Sequence, residues 1–80
     1  MSEKQVLSKV VETIVDVCNV NESNIGYQTD FKTDIGADSL DVIEIAMLLE
    51  DEFDISIEDE QLEKMLTVGD LVKYIVSKVK

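Results

Sequence analysis

Residues 36–54 read "GADSLDVIEIAMLLEDEFD", and the spacing of their apolar side chains decides how the chain folds. At about 100° per residue, Val42, Ile45, Ala46, Leu49 and Phe53 fall on one stripe, which predicts a helix over 39–53 with that stripe in a core. Leu40, Ile43 and Met47 form a second stripe, centred roughly 130° away by the same arithmetic. Glu44, Glu50, Asp51 and Asp54 surround the second stripe. Burying it would desolvate those carboxylates as well. It reads instead as a partly exposed docking strip, with apolar contacts for affinity, carboxylates for steering and Met47 as the adaptable member.

Outward from this helix the pattern repeats on both sides. Ser2 with Gln5 three residues on fits a capping box. It opens a stretch in which Val6/Leu7, Val10/Val11, Ile14 and Val17/Cys18 recur at helical spacing. "NVNESNIGYQTD" then breaks the period, and Asn19 suits the left-handed residue that ends many helices. Ile25 and Phe31, isolated in that long connection, are expected to anchor it. A short helical turn is expected near Asp59–Lys64. Thr67, with Asp70 three residues later, starts a last helix carrying Val68, Leu71, Val72, Ile75 and Val79 on one side. The fold class expected is all-α: a four-helix bundle of three main helices plus one short one, with a long loop between helices 1 and 2.

Eighty residues suit a single domain, 1–80, with a modest core, and the apolar share of 45% is that of a globular chain. The chain carries a net charge of -11, which argues against nucleic acid or an anionic membrane as partner and favours a protein with a basic surface. All of that charge comes from one window. Residues 38–63 hold eleven acidic residues and no Lys or Arg, and the remaining seven acids balance all seven lysines. A charge run by itself is as readily a solvated face; the second apolar stripe inside this one favours docking. Cys18 stands alone, which excludes an intramolecular disulfide and fits a reducing compartment; it reads as a small apolar residue near a helix end. No signal-like or bilayer-length apolar run is present, so the expected location is cytoplasmic, without stable membrane insertion and as a monomer.

Ser39 sits between Asp38 and Asp41 at the start of the central helix. Either Ser39 or Asp38 can serve as N-cap. A calcium loop fails, because counting from Asp34 or from Asp30 does not bring Gly to the sixth place and Glu to the twelfth. Serine hydrolysis fails because the chain has no histidine. A phosphodiester on Ser39 fits better: a helix start offers N–H groups and a positive dipole end to a phosphate, and Gly36 and Ala37 leave the approach uncrowded.

These residues resemble a known family. "DIGADSLDVIEIAMLLEDEF" is similar to the modification site and second helix of acyl carrier proteins, particularly the free-standing type of bacterial and organellar fatty acid synthesis. "FKTDIGADSLD" and "LEKMLTVGDLVKYI" extend the likeness to nearly the whole chain. The resemblance implies a carrier, not an enzyme, with 4′-phosphopantetheine on Ser39 as its cofactor. By the same resemblance, a holo-synthase would transfer that group from coenzyme A with a magnesium ion, and Asp38 would lie near that metal in the transferase complex. Asp38, Leu40 and Asp41 would serve recognition by that transferase. Leu40, Ile43, Glu44, Met47, Glu50 and Asp51 would meet basic patches on fatty acid synthesis enzymes. Ile45 and Leu49 would line the cavity that shelters the acyl chain. A polyketide or other specialised acyl carrier is the alternative within the family, and an unmodified acidic adaptor the alternative outside it. Ile35, Glu58, Cys18-Asn19 and Tyr27 depart from the usual pattern, and none touches Ser39.

Overall fold

The computed structural model describes residues 2–79. Its elements run α1 (Glu3–Cys18), a 3-10 turn (Glu22–Asn24), α2 (Ser39–Phe53), α3 (Asp59–Glu63) and α4 (Val68–Val79). Among the described residues there is no strand, only an isolated bridge between Asp30 and Thr67. The expected all-α fold with a long first connection is the one observed, and α3 closes one residue earlier than the sequence suggests, with Lys64 as its C-cap. No helix among the described residues is long and apolar enough to cross a membrane.

The starts of α1 and α4 and the end of α1 fall where the sequence places them. Ser2 and Gln5 form the capping box of α1, with N–H···O distances of 3.2 and 2.9 Å. Asn19 closes α1 at φ 54, in the left-handed region. Thr67 and Asp70 exchange side chain-to-backbone bonds at 3.2 Å at the start of α4. The core is built from α1 (Val6, Val10, Ile14), α2 (Ile45, Ala46, Leu49, Phe53) and α4 (Val68, Leu71, Val72, Ile75), with Leu62 from α3. Helix α1 packs against both α2 and α4. Phe31 is buried and Ile25 packs at the core's edge, so both anchor the loop as expected.

That loop does more than connect. The Gly69 N–H donates to the Tyr27 carbonyl at 2.8 Å and the Val68 N–H to the Thr29 carbonyl at 2.9 Å. Both are first-turn donors of α4 that have no partner inside their own helix. A third bond runs from the Phe31 N–H to the Leu66 carbonyl at 3.0 Å. The loop is thereby stapled to α4, and the segment leading into α2 is fixed. Gly36 at φ 76 makes the final reversal, in a region where a side chain would be strained.

Candidate functional site

Local backbone chemistry settles which residue caps α2. Asp38 has extended backbone (φ -87) and its carboxylate accepts from the Asp41 N–H at 2.9 Å; Asp41 reciprocates to the Asp38 N–H at 3.3 Å. Ser39 is therefore the first helical residue. It is exposed, and no side-chain hydrogen bond among the described residues uses its hydroxyl.

Ser39 stands on the rim of an apolar groove of about 230 Å³ between α2 and the α3 region. Val42, Ile43, Phe31, Leu62, Met65 and Leu66 line it, with Lys32, Asp59 and Glu63 as its charged members. Phe31 places one wall through its bond to Leu66, and its carbonyl accepts from the Ala37 N–H at 2.8 Å. A phosphate-linked apolar cargo fits these residues: the anchoring hydroxyl is open to solvent and the apolar surface begins beside it. Among the described residues no cluster of His, Cys, Asp or Glu is arranged to hold a metal ion.

The two stripes of α2 separate as expected. Ile45, Ala46, Leu49 and Phe53 are buried, and Val42 is half-buried at the groove. Leu40 is 73% and Met47 61% exposed, with Ile43 less so. Leaving a large apolar side chain in water forgoes roughly 1.5–3 kcal/mol of burial. Leu40, Ile43 and Met47 thus form an exposed apolar strip on α2. Glu44 and Asp51 are exposed beside them. Glu50 is different: its Oε2 accepts from the Ile57 N–H at 2.8 Å, so one oxygen holds the α2–α3 connection.

Ile45 and Leu49, expected on the core stripe, are fully buried there and do not line this groove. The sequence named both as walls of a cavity among the helices. It did not single out Leu62, Met65, Leu66 or Lys32, nor exposed Leu48. The signal for Met65 and Leu66 was their apolar character in a segment with no clear period. Cys18, half-buried at the end of α1, packs against the core. Burial pushes its thiol above the ordinary value, and the carboxylates of Asp41, Asp38 and Glu44 push the same way. In the loop, the N–H groups of Thr33 and Lys32 hold the Asp30 carboxyl below its ordinary value.

Comparison with known proteins agrees with this arrangement. The family described as "Phosphopantetheine attachment site" matches residues 8–75. An acyl carrier protein from an Exiguobacterium species is 48% identical over 79 residues, covering 99% of this chain and 100% of that one. The solved structure of an acyl carrier protein from Enterococcus faecalis, studied for its high thermal stability, superposes with a TM-score of 0.80 at 42% identity. It covers 96% of this chain and 98% of that one.

Proposed function

This chain belongs to the acyl carrier protein family, whose members carry rather than catalyse, and we propose that it serves fatty acid synthesis with Ser39 as the attachment point of 4′-phosphopantetheine. The observation that carries this reading is the exposed, uncommitted Ser39 hydroxyl on the rim of an apolar groove.

Attachment from coenzyme A forms one bond and breaks one. Ser39 Oγ takes the phosphopantetheinyl phosphorus, adenosine 3′,5′-bisphosphate leaves, and the hydroxyl proton passes to a base on the transferase. The chain contributes positioning: the Asp38–Asp41 capping box holds the first turn of α2 still, and Gly36 clears the approach. Asp38, Leu40 and Asp41, which flank Ser39 at the start of α2, serve transferase recognition. The attached group supplies a terminal thiol that holds the acyl chain as a thioester. The groove is smaller than the roughly 300–1,000 Å³ of sites that enclose a drug-sized ligand. A long chain would therefore displace α3, a five-residue helix with no side-chain cap bond.

Leu40, Ile43, Glu44, Met47 and Asp51 form the face offered to basic patches on the holo-synthase and the synthesis enzymes, with Glu50 contributing its second oxygen. The carrier works as one domain over 1–80 and as a monomer, in the cytoplasm. The test is intact mass after incubation with coenzyme A and a holo-synthase. The wild type gains one phosphopantetheine and Ser39→Ala gains none, with unchanged helical circular dichroism. An unmodified wild type overturns the reading.

A further inference from the structure

The groove beside Ser39 contains one cation, Lys32, with Asp59 and Glu63 of α3 also among its lining residues. Its backbone is held: the Lys32 N–H donates to Asp30 Oδ1 at 2.8 Å, and the neighbouring Phe31 is buried and bonded to Leu66 and Ala37. Among the described residues the one contact ion pair is Lys9–Glu52, so Lys32 makes none, although its charge, after the N–H groups of Thr33 and Lys32, helps hold the Asp30 carboxyl low from longer range.

A phosphodiester on Ser39 would meet a specific electrostatic difficulty. It adds a negative charge between Asp38 and Asp41, and the Asp38 carboxylate already takes the Asp41 N–H that an anion at the helix start would use. The groove holds one group of opposite sign. We propose that Lys32 is a positioning residue for the phosphodiester at Ser39: its ammonium pairs with that anion and directs the arm toward the apolar groove. The aliphatic stem of Lys32 suits this place, because it covers apolar surface while its head stays in water. Charge-assisted bonds to phosphate are stronger than neutral ones. The inference rests on the carrier reading.

The experiment uses modified protein and reads the phosphorus directly. Wild type, Lys32→Gln, Lys32→Arg and the distant control Lys73→Gln are each loaded by a holo-synthase, verified by intact mass and compared by ³¹P NMR at low salt. In Lys32→Gln the phosphodiester resonance moves by more than its linewidth, whereas Lys32→Arg and Lys73→Gln leave it in place. The wild-type resonance moves toward the Lys32→Gln position as salt approaches 1 M, where the screening length is about 3 Å. Coincident resonances in wild type and Lys32→Gln overturn the role of Lys32 while leaving the carrier reading standing. Failure of the wild type to gain the arm overturns the carrier reading itself, and this inference with it.

Discussion

Ser39 and Cys18 lie near the same helix start and have opposite fates. Ser39 is exposed with an unengaged hydroxyl, while Cys18 is half-buried under the carboxylates of Asp41, Asp38 and Glu44. The thiolate, not the thiol, is the nucleophile, and burial followed by nearby negative charge disfavours it. Cys18 is therefore expected to react slowly with iodoacetamide near neutral pH, its rate rising at higher pH than that of an ordinary thiol. Asp41→Asn removes one of the opposing charges and shifts that rate profile to lower pH without abolishing the shift from burial. A profile matching a free thiol in the wild type would contradict the placement. Ser39 was legible from its neighbours. The surroundings of Cys18 were not, since Asp38 and Asp41 reach it only because α1 and α2 pack together.

Helix α2 carries two apolar stripes, and the fold uses them differently: one is the core and the other stays in water. Met47→Ala and Glu44→Lys are expected to weaken turnover by partner enzymes while leaving helix content nearly unchanged, as circular dichroism and a coupled elongation assay would show. Loss of folding in either variant would mean that the stripes are assigned the wrong way round. Helix α4 depends on a different contact. A Cβ at Gly69 would lie 2.8 Å from the Tyr27 carbonyl oxygen, a backbone atom that cannot swing aside. Gly69→Ala is therefore expected to push the loop off α4, at a cost of about 1–3 kcal/mol in urea denaturation. Gly36→Ala is destabilising for another reason, its positive φ. The helices themselves were readable from capping boxes and apolar spacing. The stapling of the loop to α4 was not, because Tyr27, Thr29 and Phe31 meet Gly69, Val68 and Leu66 from some forty residues away.

At the scale of the whole molecule the dominant fact is uncompensated charge: eighteen acids face seven lysines, and the one ion pair among the described residues, Lys9–Glu52, is half exposed at both ends. Such a solvent-screened surface pair contributes little and neutralises only one of the eleven acids within residues 38–63. The melting temperature is thus expected to rise with ionic strength, and more steeply with divalent cations. A gain of 1 kcal/mol corresponds to roughly 4–8 °C in a domain of this size. Calorimetry from low salt to physiological salt measures this, and a flat response would show that the acidic face is already relaxed. The sequence by itself determined the all-α class, the extent of α1 and the core stripe of α2, because each follows from period or capping chemistry over a few residues. Only the tertiary structure decided which residues form the groove beside Ser39, and that Asp38 rather than Ser39 caps α2. It also brought Lys32 to the same rim. The groove and its rim depend on how the loop, α2 and α3 come together, and contacts across that distance in the chain leave no local periodicity to read.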